Sequence, residues 1–171
     1  MVSYEAGVDG RRWDLVIDLS IPGREPMQLQ QLILDMNGTL TKDGVLQEGV
    51  AERIEQLKGH LKIYLLTADT FGTGAQVARH LGIRISVVSS ANGVQDKSDF
   101  AASLVPAGII AVGNGYNDKE MFAQADLSIA VIGPEGCCVK ALLNADIVVN
   151  HINDALDLLL NPLRIIADLR T

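Results

Sequence analysis

Along this chain, apolar residues gather in short unbroken runs that alternate with stretches where they recur every three or four positions. Leu15 to Ile21 and Met27 to Gln31 read as two extended runs around the turn Pro22-Gly23-Arg24-Glu25, a hairpin leading into a first core strand at Leu32 to Asp35. Residues ahead of Trp13 show no periodicity and are expected to be a loose tail. After a turn at Lys42-Asp43-Gly44, the positions Val50, Ile54 and Leu57 mark one face of a helix. Leu61 to Leu66 has the length of a buried strand and ends at Thr67. Thr73 is placed to cap the next helix, which carries Val77 and Leu81 on one face and stops at Gly82. A strand over Ile83 to Val88, a helix over Asp96 to Leu104 and a strand from Gly108 to Val112 come next. The remaining pattern predicts a short helix from Asp118 to about Gln124, a strand at Leu127 to Ile132, a helix at Glu135 to Leu143 and a strand at Asp146 to Val149. Asn153 is placed to cap a helix containing Ala155, Leu158 and Leu159. Asn161-Pro162 opens another, with proline at a favourable first position and Ile165, Ile166 and Leu169 as the apolar face.

Strands that are continuous apolar runs, alternating with helices, predict an α/β fold: a three-layer, Rossmann-like parallel sheet with helices on both faces. A single domain is expected over 1–171, with 1–12 as the tail and 13–31 as a hairpin extension. Hydrophobic residues make up 48% and charged ones 20%, which excludes a disordered chain. The formal charge of −7 argues against nucleic acid as the main partner, because phosphate-backbone binding needs clustered Lys and Arg. The two cysteines, Cys137 and Cys138, are adjacent, poorly placed for an unstrained bridge and without a Cys-x-x-Cys partner set, so a reduced, cytoplasmic chain is expected. No apolar run has the length of a membrane span, and the start MVSYEAGVDGRRWD lacks the apolar centre of a signal peptide. Asn37-Gly38-Thr39 matches a glycosylation sequon, which bears only on secreted chains.

Ligands of an open parallel sheet bind at the carboxyl ends of its strands. Three strand ends here carry polar groups: Asp35-Met36-Asn37-Gly38-Thr39, Thr67-Ala68-Asp69, and Gly113-Asn114-Gly115-Tyr116-Asn117-Asp118, with Lys97 near the start of the helix before the last of these. Singly, each has an ordinary explanation as a turn, a cap or a solvated helix residue. Together they suit phosphoryl transfer. A carboxylate at Asp35 can attack phosphorus and split one hard displacement into two easier ones. Mg²⁺ prefers one or two carboxylates, which Asp35 and Asp118 can supply. The Thr67 hydroxyl, the Lys97 ammonium and backbone N–H groups around Gly38 can take the remaining phosphate oxygens.

In this order, the four groups resemble the motifs of the haloacid dehalogenase (HAD) superfamily, over about Leu32 to Val149. Lys62 and Lys140 do not sit where the lysine motif belongs. Leu66-Thr67-Ala68-Asp69 and Gly115-Tyr116-Asn117-Asp118 resemble segments of the P-type pumps, so the nearest likeness is to small, capless, soluble P-type ATPase-like members. No membrane helices or actuator domain fit in the chain, and ion pumping is not expected. The resemblance implies a HAD-type hydrolase with catalytic Asp35, Asn37, Thr67 and Lys97. It also implies a phosphate site of Gly38, Thr67, Ala68 and Lys97, and a Mg²⁺ site of Asp35, the Asn37 backbone carbonyl, Asn114 and Asp118. The substrate would be a small phosphorylated molecule or a phosphoprotein.

Two residues depart from the family pattern. Asn37 stands where most phosphatases of the superfamily carry an acid–base aspartate, and Asn114 where an aspartate is usual. An amide has no titratable proton near neutrality, so acid–base catalysis worth ~10²–10⁴-fold is lost at that position. Turnover is expected to be slow, with a good leaving group or a persistent aspartyl phosphate. The alternative is a catalytically impaired phosphate-binding or regulatory protein. With no room for a lid between Thr41 and Leu66 or between Ala68 and Asp96, a homo-oligomer is expected, with the N-terminal hairpin as one candidate contact. A dinucleotide fingerprint at Gly113-Asn114-Gly115 lacks its third glycine.

Overall fold

The longest strand, β2 (Met27–Asp35), runs through the centre of the sheet and ends in the first polar group. The computed structural model describes residues 15–171; the tail expected at 1–12 lies outside them, as do Trp13 and Asp14. Around β2 the order is β6 (Arg84–Val87), β5 (Lys62–Thr67), β2, β7 (Gly108–Gly113), β8 (Leu127–Val131), β9 (Ile147–Val149). All these neighbours pair in parallel, and β1 (Ile17–Leu19) pairs antiparallel with the start of β2. A separate two-stranded hairpin, β3 (Thr41–Lys42) with β4 (Val45–Leu46), follows β2. The architecture is the expected Rossmann-like α/β sheet with an N-terminal hairpin. One refinement is that Met27 to Gln31 and Leu32 to Asp35 form one strand, continuous through a register irregularity against β7 between Leu29 and Gln31.

Side-chain alternation along β2 explains how both faces are buried. Leu32 and Leu34 join the apolar layer under α1 (Val50–Leu57), α2 (Gly74–Leu81), α6 (Ile152–Leu160) and α7 (Pro162–Leu169). Ile33 joins the layer under α3 (Gly93–Ser103), α4 (Lys119–Gln124) and α5 (Val139–Leu142). Two residues beyond Ile33, period two brings Asp35 to the α3 side of the sheet. Position in the strand thus selects the helix that faces the carboxylate.

Several boundaries differ from those expected. The helix predicted over Glu135 to Leu143 is confined to Val139–Leu142. Gly133 and Gly136 both have positive φ (58° and 83°) and hold the preceding segment as a loop. Thr73 does precede α2, but its hydroxyl donates to the Gly44 carbonyl rather than capping the helix. The cap is Asp69, whose Oδ1 accepts the Gly74 N–H at 2.7 Å. Asn153 lies inside α6; the cap is His151, whose Nδ1 accepts from the Asn153 N–H. α3 starts three residues earlier than expected, at Gly93. The N-terminal hairpin places Ile17, Leu19 and Ile21 in the chain's own core.

Candidate active site

The polar strand ends meet at one rim of the sheet. Asp35, at the end of β2, and Asp118, closing a 3₁₀ turn at Tyr116–Asp118, share one ammonium group. Lys97 Nζ donates to Asp35 Oδ1 at 2.6 Å and to Asp118 Oδ1 at 2.7 Å. Lys97 is fully buried, as is Asp118, and Asp35 is 6% exposed. A lysine almost never loses all contact with water unless it is paired. Here it is paired twice.

Each carboxylate has a second hold. Asp35 Oδ2 accepts from Thr39 Oγ1 at 3.1 Å. Asp118 Oδ2 accepts the backbone N–H groups of Asn114 at 3.0 Å and Gly115 at 2.8 Å. Gly113 makes this possible, since a Cβ there would collide with the Asp118 carboxylate. Gly38, at φ 77°, serves similarly on the other side, where a side chain would strike the Asn114 amide.

Beyond its N–H bond to Asp118, Asn114 is held by three further contacts. Its Nδ2 donates to the Gly136 carbonyl at 2.9 Å, which turns its Oδ1 towards the Thr39 hydroxyl at 3.2 Å, and its own carbonyl accepts the Cys138 N–H at 2.8 Å. An aspartate at 114 would have no hydrogen to give Gly136. The departure from the family pattern therefore has a structural use: it ties the loop before α5 to the site.

The electrostatics follow from this packing. Burial, with the Asp118 charge adding to it, pushes the Asp35 carboxyl up to about 6 despite the nearby ammonium of Lys97. Burial by itself would lower the Lys97 ammonium, but attraction from Asp118 and Asp35 outweighs it and raises the group. Two carboxylates against one ammonium leave a buried surplus of negative charge when Asp35 is ionised. Among the described residues there is no cluster of three or more His, Cys, Asp and Glu. The oxygen donors at this rim are two carboxylates, the Asn114 amide and backbone carbonyls, a hard set that suits Mg²⁺ better than a thiophilic metal.

The other expected residues take different positions. Thr67 is buried at the end of β5, the strand beside β2, and its Oγ1 accepts the Asp69 N–H at 2.9 Å. Asp69 holds a left-handed backbone, φ 52°, as it reaches the start of α2. Ala68 lines a neighbouring cleft. The Asn37 Oδ1 is buried without a hydrogen-bond partner. Thr39 and the Gly136–Cys138 segment were not among the expected site residues. The position of Thr39, four residues after Asp35, and the glycines flanking Pro134-Glu135 were the available signals.

No protein-family model matches the chain. An uncharacterized protein of Methanocaldococcus jannaschii is 58% identical over 62 residues, 36% of this chain and 67% of that protein. A soluble P-type ATPase-like phosphatase of the same organism is 27% identical over 123 residues, 70% of this chain and 45% of that protein. Among solved structures, the cobalt-bound deoxy-D-mannose-octulosonate 8-phosphate phosphatase of Haemophilus influenzae superposes with a TM-score of 0.64 at 16% identity, over 78% of this chain and 88% of that one. The chain is thus similar in fold to HAD-family phosphatases and in sequence to a soluble P-type ATPase-like phosphatase. Its fold is that of the HAD hydrolases and phosphatases, without a cap. The Asp35 carboxylate, the Thr67 hydroxyl, Lys97 and Asp118 lie around one rim of the sheet. Among the described residues, no helix is long and apolar enough to cross a membrane.

Proposed function

We propose that the protein is a Mg²⁺-dependent phosphohydrolase or phosphotransferase that passes a phosphoryl group through Asp35. The buried Asp35–Lys97–Asp118 arrangement carries this reading, because so costly a charge cluster at a strand-end rim is a poor stability device and a suitable phosphate site. An Asp35 oxygen attacks phosphorus, and the bond from phosphorus to the leaving oxygen breaks, with its electron pair departing on that oxygen. The aspartyl phosphate is then attacked by water at phosphorus, which releases inorganic phosphate and restores the carboxylate. Lys97 offsets negative charge on the transferred group, and the Thr67 hydroxyl with N–H groups near Gly38 and Ala68 orients it. Asp35, Asp118, Asn114 and the Asn37 carbonyl would hold the magnesium ion. When bound, Mg²⁺ supplies positive charge to the phosphate oxygens.

Asn37 sets the tempo. It has no proton to give the leaving group, so the reading favours a donor with a low-pKa leaving group, such as an acyl phosphate or nucleotide anhydride, or a persistent phosphoenzyme. The protein is incubated with Mg²⁺ and labelled acetyl phosphate or ATP, then quenched in acid. Acid-stable label on wild type and none on Asp35→Asn is expected; neither label nor hydrolysis in wild type would sink the reading. A second reading, a phosphate-binding or regulatory protein with an idle nucleophile, is favoured by Asn37 and Asn114. It predicts phosphate binding without label. The free thiols of Cys137 and Cys138 support a cytoplasmic location, and the lidless rim supports a homo-oligomer, tested by light scattering.

A further inference from the structure

Beside the Asp35 rim lies a cleft of about 520 Å³ whose walls include Ala68, Ser89, Asn92, Gln95, Tyr116 and Asn117. It is built from neighbours of the proposed machinery: Ala68 follows Thr67, Asn117 precedes Asp118, and Gln95 lies two residues before Lys97. No charged side chain lines it, although the chain carries a net −7. A larger groove, about 830 Å³, passes Lys42, Glu48 and His151 and approaches the rim through Gly133, against the Gly38 carbonyl, but includes no sequence neighbour of Thr67, Lys97 or Asp118. The smaller cleft is therefore better placed for the part of a substrate beyond its phosphoryl group.

Tyr116 forms the lip of this cleft and is 47% exposed. Two ammonium groups gather on its ring: Lys119 Nζ at 4.5 Å from the ring centre and Lys140 Nζ at 5.6 Å. Lys119 also donates to the Tyr116 hydroxyl at 3.1 Å and pairs with Glu120 at 3.4 Å. No ion pair of Lys140 with a carboxylate occurs among the described residues, and its position comes from α5, behind the loop that Asn114 holds. The ring thus gathers positive charge at the edge of a neutral, hydrogen-bonding cleft.

We infer that this cleft receives the leaving group, and that Tyr116, Lys119 and Lys140 select phosphorylated molecules whose leaving group carries a second anionic group, a carboxylate or a further phosphate. The inference rests on phosphoryl transfer at Asp35 and adds the class of donor. Both ammonium groups lie within cation–π reach of the one ring, and an incoming anion supplies the opposite charge that Lys140 lacks among the ion pairs of the described residues.

The test is calorimetric titration of the full chain, with Mg²⁺ present, using 4-carboxybenzylphosphonate and its carboxamide. Neither compound can release a phosphoryl group, so the result is independent of turnover. The carboxylate is expected to bind roughly five- to tenfold tighter, the scale of a few partly exposed charge contacts. The variant Lys119→Met/Lys140→Met should bring that ratio towards one, whereas Lys62→Met, at the opposite end of β5, should preserve it. Tyr116→Phe should keep more of the discrimination than Tyr116→Leu. Equal affinities in wild type, no binding of either compound, or a ratio untouched by the double lysine change overturns the inference. Discrimination in a protein that never labels Asp35 sustains the anion subsite and removes the transfer reading; label without discrimination does the reverse.

Discussion

Two groups of ion pairs in this molecule use the same chemistry for opposite ends. Between α1 and α6, Arg53 presents Nε to Asp157 Oδ1 at 2.7 Å and Nη2 to Oδ2 at 3.0 Å, a two-pronged pair with both side chains about a third exposed. At the sheet rim, Lys97 faces two carboxylates with almost no access to water. The outer pair keeps its hydration and has matched charges. It fastens two helices at little cost and for little gain, since exposed pairs contribute ~0–1 kcal/mol. The inner group loses hydration on three charged residues and has one negative charge too many. A fold selected for stability alone would replace it with apolar side chains. The difference separates a fastener from the cluster proposed as the reaction centre.

The largest effect should come from taking away the inner cation. Lys97→Met leaves two buried carboxylates facing each other and should cost about 3–5 kcal/mol in denaturant unfolding. It should also abolish label on Asp35. A loss below that of an exposed pair would erase the contrast with Arg53. Next, Asn37→Asp adds the missing acid–base group beside Asp35 and should raise hydrolysis of a phosphoester with a poor leaving group by around a hundredfold. Steady-state rates with and without EDTA report it, and an unchanged rate would show that this position does not limit turnover.

Asp35→Asn follows in size, and pH gives its sign. The Asp35 carboxyl titrates at about 6 in the fold against 3.8 for a free side chain, so its neutral form is the one the fold prefers. Its contribution to stability is therefore complete below about pH 4 and is lost as pH rises through 6. In metal-free protein, the variant and wild type should have similar stability at pH 4. At pH 8 the variant should be the more stable, by on the order of 2–3 kcal/mol. Chemical unfolding in EDTA at both values measures this, and a gap that stays constant with pH would contradict it. The smallest effect belongs to the outer pair. Arg53→Met should cost no more than ~1 kcal/mol and leave labelling of Asp35 intact.

Much of this was legible in the chain because it obeys local rules. Unbroken apolar runs announced the parallel strands, and Pro162 stands at the start of α7 as its fixed φ requires. Asp35 and Asp118 stood out as carboxylates at strand ends. Lys97 was legible only through the order of motifs. Its helix has a weak apolar face, and nothing local distinguishes a buried lysine from a solvated one. The helix caps were misread for a related reason. Thr73 and Asn153 have the right chemistry at nearly the right place, but Asp69 and His151 reach the free N–H groups first. That competition depends on backbone geometry, including the left-handed turn at Asp69, which composition does not encode. The role of Asn114 was hidden for a longer-range reason. Its partner Gly136 is far along the chain, and only folding shows that an amide, not a carboxylate, completes that contact.

The bare backbone at Gly113 has a consequence beyond packing. The Asp118 carboxylate lies against it, held by two amide hydrogens and one ammonium group. A single methyl group at that point carries no charge and touches no substrate. Yet it would lever Asp118 from all three contacts, so a chain with every reactive group still in place could fall silent for want of one carbon's worth of room.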